Sequence, residues 1–215
     1  MCGRISQHLE GRIYLDALQY PLPPAPDSDF EPRDARWNVP PGSQVRIIAL
    51  DDGRPVMRRE HWGHQGHGPR PYANARTDKA NSGFWSRMWR DGRIIVPADG
   101  WYEWTGPKKN REPHFVFPAD RAPLLLAAIS APDGFAIVTS EAEGGLLDVH
   151  NRRPIALTPE DARAWLEAAE LEQALQIADR TLDPGAFRWH DAPKAVGSTR
   201  DGNDSPTYIE PVKVE

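Results

Sequence analysis

The only cysteine of the 215-residue chain is Cys2. Removal of Met1 would leave that residue with a free α-amine beside its thiol. Unperturbed, the two groups titrate near ~7.7–8.0 and ~8.5, so both are partly nucleophilic at neutral pH. A 1,2-aminothiol has a reaction of its own. The amine condenses with an aldehyde to an imine, and the thiol then closes a stable thiazolidine ring, which an internal cysteine cannot do. The bland alternative is an incidental small hydrophobe.

Three further stretches carry reactive groups. In RIIVPADGWYEW (93–104), Glu103 stands between Tyr102 and Trp104. That makes it either a half-exposed strand residue or a buried acid of raised pKa suited to proton transfer. In VHNRRPIALTPEDA (149–162), His150 precedes a strand, with Arg152 and Arg153 behind it. This reads as a proton shuttle beside a phosphate clamp, or as an ordinary loop. In PYANARTDKA (71–80), Asn74 and Arg76 lie two apart and share a face in extended structure, or simply end a polar strand. His61, His64 and His67 are regularly spaced, but Gly63, Gly66 and Gly68 surround them and no carboxylate or cysteine completes a set. Neither a metal nor another cofactor is expected, and one cysteine excludes an intramolecular disulfide.

Charge gives a divided signal. The net charge of −5 and pI near 5.8 point away from nucleic acid. From Arg33 to Arg93, however, twelve basic residues stand against six acids, giving +6, while the remainder carries −11. Arginine outnumbers lysine 21 to 5. Arginine is the better bidentate partner for phosphate, though the same excess suits a solvated surface.

The elements that must position these groups are short. With 22 prolines, 39% hydrophobic residues and a mean hydropathy of −0.63, the chain is loop-rich rather than bundle-like. Strands are expected at 45–50, 55–62, 93–96, 100–104, 114–117, 124–129, 135–139 and 153–157, with a last one at 208–212. Helical spacing covers 6–19 with Ser6 as N-cap, and 78–90, where Phe84, Trp85, Met88 and Trp89 form a core stripe. Thr158-Pro159-Glu160-Asp161 starts a helix running to 169, and 171–178 is expected as a further helix. Residues 21–32 are an irregular proline-rich excursion. The expected class is α+β: one domain, 1–215, with a curled, mostly antiparallel sheet or open barrel and peripheral helices. No apolar run approaches a membrane span, and MCGRISQHLE lacks a secretory signal, so a soluble cytoplasmic protein is expected.

Taken together, MCGR at the start, NAR (74–76), IVPADGWYEW (95–104), IVT (137–139) and HNRRP (150–154) resemble the SOS-response-associated peptidase (SRAP) family in order and spacing. WHDAPKAVGS (189–198) and the final IEPV resemble its closing segment, so the likeness spans the chain. It implies a monomeric sensor that recognises abasic sites in single-stranded DNA and caps them covalently, with incidental lyase chemistry through the imine. Cys2 is then the crosslinking nucleophile after Met1 removal, and Asn74 orients the amino terminus and sugar. Glu103 and His150 handle protons. Arg76 and Arg152 grip flanking phosphates, with Arg4 alongside. Family members resembling this chain often carry a tryptophan pair where 64–73 reads HQGHGPRPYA. His64, His67, Arg70 or Tyr72 would have to stack in its place. Two other classes stay open: a cysteine peptidase using Cys2, including on its own Met1, and a non-covalent single-strand binding module.

Overall fold

The computed structural model describes residues 2–29, 35–65, 71–107, 109–198, 200 and 202–212. In chain order the elements are β1 (Ile5–Gln7), α1 (Gly11–Leu18), β2 (Arg36–Val39), β3 (Gln44–Asp51), β4 (Arg54–His61), β5 (Asn74–Arg76), α2 (Ser86–Asp91), β6 (Arg93–Ala98), β7 (Gly100–Thr105), β8 (Glu112–Pro118), β9 (Leu124–Ala131), β10 (Gly134–Glu141), β11 (Arg152–Pro154), β12 (Ala156–Leu157), α3 (Pro159–Glu167), α4 (Leu171–Ala178) and β13 (Phe187–Asp191). They build two open, mostly antiparallel sheets. The first has the order β13-β8-β7-β1-β2, and the second β11-β10-β9-β6-β3-β4, with β12 also on β9. β5 lies parallel to β10. The expected α+β class holds, with the strands divided between two sheets that do not close.

Strand alternation explains the layering. In β3, Ile47 enters the core between the sheets while Ile48 faces the other way; in β10, Phe135 and Ile137 do the first and Ala136 and Val138 the second. Trp101, Val116 and Phe187 of the first sheet meet Ile94, Val96 and Leu126 of the second in the inter-sheet core. The outer face of the second sheet is covered by Tyr14 and Leu18 of α1, Trp89 of α2, Trp165 of α3 and Ile177 of α4. A smaller apolar layer, Tyr102, Phe115, Phe117, Val196 and Tyr208, covers the outer face of the first sheet.

Local chemistry fixes the joints that matter to the site. Thr158 Oγ1 accepts from the Asp161 amide at 3.1 Å and Pro159 opens α3, as its sequence requires. At the β6–β7 turn, Asp99 Oδ2 accepts from the His8 amide at 2.6 Å and from the Tyr14 hydroxyl at 2.8 Å. This ties α1 to the strands beside it. Gly100 has no room for a side chain: a Cβ there would lie 2.4 Å from the Phe115 ring and 2.5 Å from the Val116 carbonyl oxygen. The excursion at 21–29 covers the outer edge of β4, through Ala25 and Asp29 amides donated to the Pro55 and Met57 carbonyls at 2.9 and 2.8 Å. Residues 30–32 of that stretch lie outside the described residues.

Three expectations need correction. Ser6 is a strand residue, and the first helix starts only at Gly11, because pairing with β7 and β2 takes residues 5–7. The helix expected over 78–90 is broken into a 3₁₀ turn, Thr77–Lys79, and the six-residue α2. Asn81-Ser82-Gly83 between them favours turns over helix, and Trp85, Met88 and Trp89 still reach the core. At the end of the chain a 3₁₀ turn, Pro206–Ile209, replaces the expected strand. Pro206 opens it and Ser205 Oγ caps it by accepting from the Thr207 amide at 3.3 Å. Among the described residues no helix is long and apolar enough to cross a membrane.

Candidate active site

The first described residues run antiparallel to β7. Ile5 pairs with Trp101, and the Tyr102 amide donates to the Arg4 carbonyl at 3.0 Å. Cys2 lies beyond the paired residues, close enough to Glu103 for the carboxylate charge to act on its thiol. Cys2 is fully buried and belongs to the inter-sheet core. Burial, reinforced by the negative charge of Glu103, pushes its thiol far above the ordinary range. Sγ lies 4.0 Å from the Arg4 carbonyl oxygen. The sulfur is a protonated thiol, not a thiolate.

Asn74 arrives from the second sheet. Its strand β5 is held against β10 by the pairing of Asn74 with Ile137, and its Nδ2 donates to the Cys2 carbonyl at 2.9 Å. This bond crosses 72 residues and fixes the backbone of the cysteine.

Glu103 is 2% exposed, so the structure takes the buried of its two expected settings. Desolvation pushes the carboxyl up to about 7, against the positive charge of the amino terminus and of Arg111. Near neutral pH it is thus poised to give or take a proton.

His150 follows the 3₁₀ turn Gly144–Asp148 and is half-buried. Its Nδ1 accepts from the Arg152 amide at 2.9 Å. A neutral ring so engaged carries its hydrogen on Nε2, which makes it a donor there. Desolvation lowers its pKa, and the amino-terminal charge acts in the same direction. At neutral pH the ring is uncharged.

The arginines divide. Arg152 donates through Nη2 to the Thr139 carbonyl at 2.7 Å and to Thr139 Oγ1 at 3.1 Å. Arg76 forms a fork onto Asp78, with Nε and Nη2 at 2.8 and 2.6 Å from its two oxygens. Both guanidinium groups line a pocket of about 330 Å³ with Glu141 and Asn151. Arg4, expected alongside them, is placed elsewhere. It is 5% exposed, and its guanidinium donates to the carbonyls of Val196, Gly197 and Ser198 at 3.4, 3.3 and 3.4 Å. With its donors directed at backbone carbonyls, it clamps the closing segment onto the strand that carries Cys2.

In the interval without tryptophan, Tyr72 and His64 join an aromatic cluster with Phe84 and Trp85, with ring centroids 4.6–5.8 Å apart. Tyr72 is 41% exposed and presents its ring to solvent. His67 and Arg70 lie outside the described residues. Among the described residues no group of three His, Cys, Asp or Glu side chains is arranged to hold a metal ion. Sequence reasoning missed Arg111, whose charge acts on both Glu103 and His150. The signal was the basic run 108–111 in the hairpin just beyond Glu103. Thr139, the anchor of Arg152, closes the IVT stretch (137–139), whose sequence carries no sign of that role.

A family model described as SOS response associated peptidase (SRAP) matches residues 1–199. Over 225 residues the chain is 35% identical to the abasic site processing protein YedK of Escherichia coli (strain K12), covering 99% of this chain and 100% of that one. A phage-related protein from Bordetella bronchiseptica superposes with a TM-score of 0.73 at 35% identity, over 90% of this chain and 95% of that one. A protein from Bacteroides thetaiotaomicron gives a TM-score of 0.75 at 18% identity, over 99% and 100% of the two chains. That last likeness shows the fold alone.

Proposed function

The chain belongs to the SOS response associated peptidase (SRAP) family, and from that premise we propose that it processes abasic sites in DNA by capturing them covalently through Cys2. The observation that carries this reading is the placement of Cys2: its carbonyl on Asn74, its backbone along β7, and the poised carboxyl of Glu103 beside it.

After Met1 is removed, the α-amine must lose its proton, and ionised Glu103 takes it. The amine nitrogen attacks C1′ of the open-chain deoxyribose aldehyde and gives a carbinolamine. Protonated Glu103 returns the proton to the departing hydroxyl, which leaves as water, and the C=N bond of the imine remains. The thiol sulfur then adds to the imine carbon while its hydrogen moves to nitrogen. One water is lost overall. His150, a neutral donor at Nε2, steadies a sugar oxygen during ring opening. A thiol held protonated suits this order, because the sulfur acts last. It does not suit amide hydrolysis, which needs the thiolate that burial and Glu103 both oppose. Elimination of the 3′ phosphate from the imine is the competing lyase route, and ring closure withdraws the imine from it.

The test is intact mass after incubation with a single-stranded oligonucleotide containing one abasic site. The expected species is the protein without Met1, plus the oligonucleotide, minus one water. Only unmodified protein, or a mass retaining Met1, contradicts the proposal.

The arginines give a second expected result. Arg76 and Arg152 meet phosphates, so alanine at either position should weaken single-strand binding and flatten the salt slope by about 0.7. Arg4→Met should leave that slope unchanged and instead destabilise the fold by about 2 kcal/mol or more, since buried carbonyls lose a charged donor. Salt titrations of binding and thermal melts of the three variants check this. A flattened slope in Arg4→Met would return that residue to the phosphates.

A further inference from the structure

The face of the first sheet that carries Glu103 bears two more titratable side chains in the same cross-strand row. β7 pairs Glu103 with His114 of β8, and β8 pairs His114 with Asp191 of β13. Residues directly opposite on antiparallel strands share a face, with Cβ atoms about 4.5–5.5 Å apart. The neighbouring row on that face, Trp101, Val116 and Trp189, packs into the inter-sheet core. The polar row therefore borders the apolar one.

Both nitrogens of the His114 ring face polar atoms. Nε2 lies 2.8 Å from Thr105 Oγ1, and Nδ1 stands 3.0 Å from Asp191 Oδ1, an ion-pair distance without hydrogen-bond alignment. Its side chain is 14% exposed, against 76% for Asp191, so the row steps from buried Glu103 to solvent. Packing alone does not require an imidazole here, because the adjacent row is filled by apolar side chains.

We propose that His114, steadied by Thr105 and Asp191, is a positioning residue that sets the charge state of Glu103. An imidazole is the side chain whose charge changes nearest neutral pH. Charged, it favours the Glu103 carboxylate; neutral, it leaves the carboxyl free to keep its proton. The other groups acting on Glu103 come from different elements: the Cys2 thiol and amino terminus, and Arg111 of the hairpin; the amino terminus and Arg111 act on His150 as well. Arg111 has a fixed charge, and the thiol and His150 are uncharged near neutral pH. A positive charge at position 114 thus holds Glu103 in its base form. This consequence rests on the catalytic role proposed for Glu103, whereas the electrostatic coupling does not.

The experiment is a carboxyl-carbon NMR titration of DNA-free protein lacking Met1, with the Glu103 signal identified by its loss in Glu103→Gln. His114→Gln should raise the Glu103 midpoint by about half a pH unit or more, and His114→Lys should lower it. A structural disturbance would move both the same way. Shifts in one direction, or no shift in either folded variant, overturn the inference. Because no DNA is present, shifts as expected without any adduct would sink the proposed function alone. An adduct with unmoved midpoints would sink this inference alone.

Discussion

Cys2→Ala is expected to reduce the heat-stable, unreduced adduct with abasic single-stranded DNA to background. Alanine at the new amino terminus keeps the amine, so imine formation survives and borohydride should trap it. Without sulfur, nothing closes the ring, and hydrolysis returns the imine to aldehyde and amine. The variant should still bind a non-reactive abasic analogue with nearly unchanged affinity, because the phosphate contacts proposed for Arg76 and Arg152 are untouched. Removing one buried sulfur should cost the fold only about 1 kcal/mol, so unfolding does not explain the loss. Denaturing gels and intact mass, with and without borohydride, read the result. A full-yield unreduced adduct from Cys2→Ala would rule out the thiazolidine.

Glu103→Gln should slow adduct formation by about 10²–10⁴-fold, the usual range for a general acid–base group. His150→Gln should lose less, since an amide keeps an N–H donor, while His150→Leu should approach the Glu103 variant. Stability supplies the control. The Glu103 carboxyl is pushed up to about 7 by desolvation, so the folded state holds its proton more tightly than the unfolded chain. Stability is therefore lost as pH rises from about 4.3, the unfolded value, towards that folded value. Glutamine does not ionise, so above pH 7 Glu103→Gln should be more stable than wild type, by up to a few kcal/mol. A variant that is slower yet more stable has lost chemistry rather than structure. Single-turnover rates from about pH 5 to 9, melts over the same range and analogue binding test this together. Wild-type rates throughout would remove Glu103 and His150 from the mechanism. Analogue binding lost in step with rate would make them structural.

The sequence exposed reactive groups better than their partners. Strands at 124–129 and 135–139 were legible because apolar runs in buried strands are a direct signature, and the start of α3 was legible because its cap is local. Glu103 was legible as a candidate because aromatic residues flank it. Its burial was not, since that depends on the inter-sheet core. Arg4 was set among the phosphate ligands by the family resemblance, while the carbonyl partners of its guanidinium lie 192 to 194 residues away and left no local signal. Asn74 was picked by type, but its bond to Cys2 follows from strand β5 lying against β10. His114 carried no motif at all. Only the pairing of β7 with β8 makes it a neighbour of Glu103. Breaks such as 81–83 and the turn at 206–209 were hidden because turn-forming residues there compete with an otherwise periodic pattern.

The clamp made by Arg4 also has a consequence for the order of assembly. In chain order Cys2 comes long before the carbonyls that hold its strand through Arg4, which lie 192 to 194 residues beyond that arginine. Contacts of such separation form late, because the intervening chain must be ordered before its ends can meet. A growing chain therefore has the cysteine long before it has the completed site around it. Biosynthesis thus acts as a timer: the clamped Cys2 site comes into being only once residues 196–198 have been made.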